Sequence, residues 1–533
     1  MNDKINLALL RLTKRAEMSD PKVLVNTFVD TGMLQAMLGS RDHQVIYGRR
    51  GTGKTHALLY LAETKRKANE LPIFIDMRTI GSSVGLFADE TVPIAERATR
   101  LLRDTLAAIH NNLYELATSP GETLNLASVG PQLDALYDAA TETQVVGATT
   151  LEFQATQGVK NENNLAVAMS AAPPTPSISL TAGDKSEFTR AEANKTQQSG
   201  HSVHRVRFGA IGQTLGFIAA SAAPRRVWLL LDEWSSVPTD LQPYLADMIR
   251  RCLLPTPGVT VKIAAIEQRT NFQLSGERGE YTGIELGADI AADLNLDDFM
   301  VFDHNATRAV EFFRRLIYNH YNSVLPEIEG APSFRDDREF AGAAFTQRTA
   351  LEELVRAAEG VPRDAIYVLA MSAQKAAASP IAVNHARSAA KTWYQRDKES
   401  AVSANSKAAT LLRWIVDEVI AHRRARAFLV ESGTRDALID SLFDSRVLHL
   451  LKRNISAQDE PGVRYDAFKI DYGCYVDLLS TAREPQGTFP MGEAEDQQAG
   501  YVDVPPDDYR AIRRAILDLH EFYRSSTAAA SAG

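Results

Sequence analysis

Eleven consecutive residues constrain this chain more than any others: Val45-Ile46-Tyr47-Gly48-Arg49-Arg50-Gly51-Thr52-Gly53-Lys54-Thr55. An apolar run breaks into glycines and ends on Lys-Thr, and the residues that follow, His56 to Ala62, have helical propensity and apolar spacing. Gly48, Gly53, Lys54 and Thr55 fill every fixed position of the phosphate-loop pattern, a glycine, four free positions, then Gly-Lys-Ser/Thr. Such a loop brings backbone N–H groups onto phosphate oxygens, which needs tight turns and little side-chain bulk. A helix opening straight after it aims its positive end at the same anion. Gly48, Arg49, Arg50, Gly51, Thr52, Gly53, Lys54, Thr55 and His56 are therefore the candidate nucleotide cradle. Lys54 would reach the β/γ-phosphates and Thr55 would ligate Mg²⁺.

A phosphate loop needs a second half that handles metal and water. Val227-Trp228-Leu229-Leu230-Leu231-Asp232-Glu233 is a continuous apolar run ending in two carboxylates. That is the pattern of a buried parallel strand with acids at its C-terminal edge, where ligands sit in open α/β sheets. Asp232 is the second candidate metal ligand, and Glu233 the candidate to position or deprotonate a water attacking the γ-phosphate. ATP and Mg²⁺ are the expected cofactors.

Around this pair the chain reads as a parallel α/β domain followed by helices. Strands are expected at 71–77, 259–266 and 294–302, and helices at 93–120, 211–223, 240–254, 306–324, 345–358 and 363–378. Residues 1–40 have helical spacing, from Leu7 to Leu12 and from about Phe28 to Leu38. Gly48 and Asp232 lie 184 positions apart, whereas a compact domain brings such motifs within roughly 60 to 80. Residues 145–210, rich in Ala, Thr, Ser and Gly with alternating stretches, read as a β-rich insertion with a mobile tip. Helix over 434–453, then alternation from Tyr465 to Tyr472, reads as a winged-helix module. The resulting organisation is 1–40 helical, 41–305 core, 306–380 helical lid, 381–483 helical plus winged-helix-like, and 484–533 acidic linker, terminal helix and tail.

Charge and cysteine usage limit the partners. The 533 residues carry a net charge of −9 and two cysteines, Cys252 and Cys474, with no metal-ligand spacing. A cytoplasmic protein with reduced thiols is expected, and no run approaches the roughly 20 apolar residues of a membrane helix. Between 411 and 480 ten Lys/Arg face eleven Asp/Glu, so no basic excess advertises DNA.

With Gly48 to Thr55, Leu231-Asp232-Glu233 and Gly360-Val361-Pro362-Arg363 in hand, the chain resembles AAA+ ATPases of the origin-recognition/initiator clade over roughly residues 20–480. The resemblance implies an ATPase core, a helical lid and a winged-helix domain, with Arg363 reaching from the lid to the γ-phosphate. It implies a γ-phosphate sensor at the end of the 259–266 strand, where Gln268 or Glu267 stands, and makes Arg269 and Arg278 candidates for an arginine finger. The function this suggests is an ATP-hydrolysing switch that self-assembles or engages a protein effector, DNA being a possible partner, in phage defence or genome maintenance. A nucleotide-gated interaction scaffold with incidental turnover is the alternative.

Overall fold

Apolar runs between the helices pair as strands, and their depth of burial follows from their composition. The computed structural model describes residues 1–30, 33–80, 91–118, 124–141, 143–153, 194–204, 206–222, 225–276, 281–297, 306–422, 425–434, 436–456, 462–476 and 516–524. In chain order the strands are β1 (Gln44–Tyr47), β2 (Leu71–Asp76), β3 (Thr143–Phe153), β4 (Asn194–His204), β5 (Val227–Asp232), β6 (Val259–Ala265), β7 (Gln273–Ser275), β8 (Tyr281–Gly283), β9 (Ala291–Asn295), β10 (Ala427–Glu431), β11 (Leu448–Ser456) and β12 (Arg464–Ile470). Five form one parallel sheet in the order β2-β5-β6-β1-β9. Every residue of β1, β5 and β6 is buried, as strands of a parallel sheet covered on both faces should be, including the polar Gln44, Thr260 and Lys262.

The chain divides into two compact units, Met1–Thr79 with Ala222–Gly533, and Ile80–Ser221. The second contains the helices Ile94–Thr118 and Leu126–Thr141, which pack on each other. Leu101, Leu102, Leu106, Ile109 and Leu113 supply a buried stripe at helical spacing. It also contains an antiparallel hairpin running in register from Thr143↔His204 to Phe153↔Asn194. That hairpin lies in the stretch read as a β-rich insertion; residues 154–193 of that stretch, and with them the expected mobile tip, lie outside the described residues.

In the first unit the helices Ala306–Val324, Asp337–Ala344, Arg348–Ala358, Pro362–Ala376 and Val383–Trp393 follow the sheet. A three-stranded antiparallel sheet, β10-β12-β11, comes last. Two expectations change here. The edge strand of the parallel sheet is Ala291–Asn295, earlier than the expected 294–302, because pairing with β1 sets its register through Gln44↔Ala291 and Ile46↔Leu294. Helix over 434–453 is replaced by a short helix, Ala437–Asp444, and strand β11. Arg446 takes φ +61°, which a continuing helix cannot accommodate, and pairing with β12 then overrides helical propensity. No helix among the described residues is long and apolar enough to cross a membrane.

Candidate functional site

The C-terminal edge of the parallel sheet gathers the side chains singled out from sequence. β6 lies between β1 and β5, so the loop after β1 and the carboxylates ending β5 face each other across one strand. Thr55 Oγ1 donates to Asp232 Oδ2 at 2.6 Å, which fixes that span. Lys54 opens the helix Lys54–Lys67, is only 7% exposed, and donates from Nζ to the carbonyls of Gly48 (2.8 Å) and Arg49 (2.9 Å). Burial lowers the Lys54 pKa, opposed by Glu233, Asp297 and Asp232.

Asp232 is 1% exposed, and burial pushes its pKa up to about 6, the Thr55 hydrogen bond pulling the other way and Glu233 adding to the rise. Among the described residues its Oδ1 is buried without a hydrogen-bond partner. Glu233 is held at φ +54°, a left-handed conformation costing a non-glycine residue on the order of 1–2 kcal/mol. The turn takes the chain off the strand axis and leaves Glu233 on the wall of a cavity of about 330 Å³.

That cavity is lined by Arg50, Gly51, Gly53, Lys54, Thr55, His56, Glu233 and Arg363, together with Lys14, Arg15, Glu17, Arg78 and His320. Arg363 comes from the first turn of the helix Pro362–Ala376, where its backbone N–H donates to the Gly51 carbonyl at 3.2 Å. Among the described residues the guanidinium of Arg363 makes no ion pair, and its pKa is lowered by burial and then by Arg446. Arg78 pairs with Asp76 at 2.6 Å and Glu17 at 3.2 Å. His56 donates from Nε2 to the Leu24 carbonyl at 2.8 Å, pinning the N-terminal segment against the loop. A neighbouring apolar cavity of about 50 Å³, walled by Phe28, Val29, Leu34, Ala57, Leu296 and Phe312, shares Thr27, Gly53, His56, Leu316 and Pro362 with the larger one.

Gly48 and Asp232 line neither cavity, Thr52 lines only the smaller one, and three further sequence-derived residues stand elsewhere. Arg49 does not line the cavity: its Nε binds Asp297 at 2.8 Å, and the guanidinium also reaches the Glu359 carbonyl at 2.9 Å and His449 Nδ1. Gln268 and Arg269 are not on the cavity wall either. Ser235 Oγ accepts the Ile266 N–H at 2.7 Å at the end of β6, and beyond it Arg269 pairs with Asp444 while Glu267 pairs with Arg453 at 3.1 Å. Arg278 lies outside the described residues.

Lys14, Arg15, Arg78, Asp297 and His449 were not read from sequence. Arg78 had a usable signal, since it follows a strand ending in Asp76 at the same sheet edge. The N-terminal cations and His449 carry none, because only tertiary folding brings them near the loop. Among the described residues no group of three or more His, Cys, Asp and Glu side chains forms a metal cage. No protein-family model matches the chain, and no curated protein matches it either.

Proposed function

We propose that this chain binds ATP with Mg²⁺, hydrolyses it, and works as an AAA+-type switch whose lid follows the state of the nucleotide. One observation carries the reading: Lys54, Thr55, Glu233 and Arg363, drawn from three distant stretches of the sequence, line one cavity, with Asp232 bonded to Thr55 behind its wall. Lys54 exchanges its two loop carbonyls for β/γ-phosphate oxygens. Arg363 brings a cation that makes no ion pair among the described residues from the lid to the γ-phosphate end, where charge grows in the transition state.

The buried, unpartnered Oδ1 of Asp232 beside the Thr55 hydroxyl fits a divalent cation that takes one or two protein oxygens and completes its shell with phosphate and water. Mg²⁺ bound there would neutralise phosphate charge. Glu233 orients water and takes its proton as the new P–O bond forms; the bond between the γ-phosphorus and the bridging oxygen breaks, leaving ADP and phosphate. The smaller apolar cavity suits the base, with His56 and His320 on its phosphate side.

The C-terminal sheet with helix Ala437–Asp444 fits a winged-helix module that meets a protein effector or a second copy of the chain. DNA is a weaker candidate, because that region carries no basic excess. The scaffold reading with incidental turnover draws support from Arg269, whose pairing with Asp444 within the chain withholds it from a neighbouring subunit.

Turnover of ATP by the full chain, with and without double-stranded DNA, tests both readings. Lys54→Ala should abolish nucleotide binding. Glu233→Gln should keep binding and lose turnover by about 100-fold or more. Wild-type protein that binds ATP without hydrolysing it faster than the Glu233→Gln variant would leave the scaffold; absence of binding would end both.

A further inference from the structure

Arg49 is part of the glycine loop by sequence, yet its side chain leads into a buried chain of polar groups running through the C-terminal sheet. Its guanidinium can only donate, so His449 Nδ1 must accept from it, and His449 Nε2–H then donates to Asp471 Oδ2 at 2.9 Å. His449 is therefore a neutral imidazole in one tautomer, and burial pulls its pKa down to about 4 against the Asp471 hydrogen bond. Asp471 also accepts from Lys398 Nζ at 2.5 Å. Lys398 sits in a π-helical turn, Tyr394–Glu399, and lies 3.2 Å from Asp364 Oδ2. Asp364 is the residue after Arg363, in the first turn of the lid helix, and is also held by Arg446 at 2.6 Å. A second strut joins Lys469 of β12 to Glu359, whose carbonyl accepts from Arg49. Arg49, His449, Asp471, Lys398 and Asp364 are each no more than 4% exposed.

Buried ions tolerate few arrangements, because stranding one partner leaves an uncompensated charge out of water. A displacement at one end of such a chain is therefore passed on rather than absorbed. The glycine end also has a reason to move. Lys54 Nζ and Thr52 Oγ1 both donate to the Arg49 carbonyl, at 2.9 Å each, so a lysine drawn onto phosphate releases the backbone of the residue that holds His449.

We propose that Arg49, His449 and Asp471 are positioning residues through which the C-terminal three-stranded sheet senses what the glycine loop holds. Nucleotide at the loop resets Arg49, and the relay through Lys398 and Asp364 sets β11 and β12 in step with the lid helix that carries Arg363. The inference rests on nucleotide binding at this loop as proposed above.

The test is amide hydrogen exchange of the full chain, with and without Mg²⁺ and a slowly hydrolysed ATP analogue, alongside direct binding of the same analogue. In wild-type protein saturating analogue should change exchange in β11 and β12 by about fivefold or more, the lower range of site-to-site coupling. His449→Leu should bind the analogue within about threefold of wild type while β11 and β12 no longer respond. His449→Gln, which can still accept on one side and donate on the other, should restore part of the response. Wild-type protein that binds the analogue with no change in β11 and β12 overturns the coupling alone, and needs no variant to fold. An unaltered response in His449→Leu overturns it too, whereas no binding at all defeats the nucleotide reading first.

Discussion

Replacing Gly51 by alanine should separate the two demands placed on that residue, a left-handed backbone and close contact with Val361 and Arg363 at the start of the helix Pro362–Ala376. Gly51 has φ +86°, and a Cβ there would lie 2.9 Å from Val361 Cγ1, 3.0 Å from Arg363 Nε and 3.1 Å from Arg363 Cβ. Val361 is fully buried, so the methyl cannot be relieved by moving it into solvent. Gly53 supplies the control: its φ is +93°, and a Cβ would meet nothing within 4 Å. Gly53→Ala should cost only the left-handed penalty, about 1–2 kcal/mol. Gly51→Ala should cost that plus an overpacking term of about 1–3 kcal/mol. Equilibrium urea unfolding of the two variants beside wild type measures the difference. Val361→Ala in the Gly51→Ala background should recover most of the extra loss as a coupling energy of about 1 kcal/mol or more. Equal losses for the two glycines, or strict additivity with Val361→Ala, would refute contact between the loop and Val361 as the cause.

Two further predictions follow from buried ionisable groups. Lys262 on β6 is fully buried, bonded to Gln44 Oε1 at 3.0 Å, and burial lowers its pKa to about 8. The folded chain therefore releases this proton before the unfolded one, so stability rises by about 2 kcal/mol between pH 8 and 10 from this group. Lys262→Met should flatten that rise in urea titrations, and an unchanged slope would count against the assignment. Asp232, raised by burial to about 6, must ionise to accept a cation, so Mg²⁺-dependent nucleotide affinity should fall about tenfold per pH unit below that value. Calorimetric titration at pH 5, 6 and 7 checks this; affinity indifferent to pH over that range would remove Asp232 from the metal site.

The buried strand β5 was legible because a parallel strand covered on both faces needs no polar alternation: Val227 to Leu231 is apolar throughout, whereas Val259 to Ala265 was legible by its β-branched residues despite the buried polar Thr260 and Lys262. The helix Ala306–Val324 was legible for the complementary reason, a long apolar stripe at helical spacing. β11 was not, since Leu448-His449-Leu450-Leu451-Lys452 fits helix or strand, and only pairing with β12 decides. At the site, Lys54, Thr55, Asp232 and Glu233 were readable because local backbone shape fixes where their side chains go. Arg49 was misplaced by the same rule, since its neighbours in sequence suggested phosphate, whereas its partners lie at Asp297, Glu359 and His449. A motif specifies the backbone of its loop better than the destination of the side chains at its free positions.

The span between Arg49 and His449 also has a meaning in time. The two residues are 400 positions apart, and a ribosome adding about 5–20 residues per second needs roughly 20–80 seconds to travel from one to the other. Throughout that interval the glycine loop has its sequence but lacks His449, the last partner of the Arg49 guanidinium. The loop thus reaches its final geometry only on a chain elongated past Asp471, and a product stopped short of β11 keeps the motif, Asp297 and Glu359 but lacks His449, the last partner of Arg49.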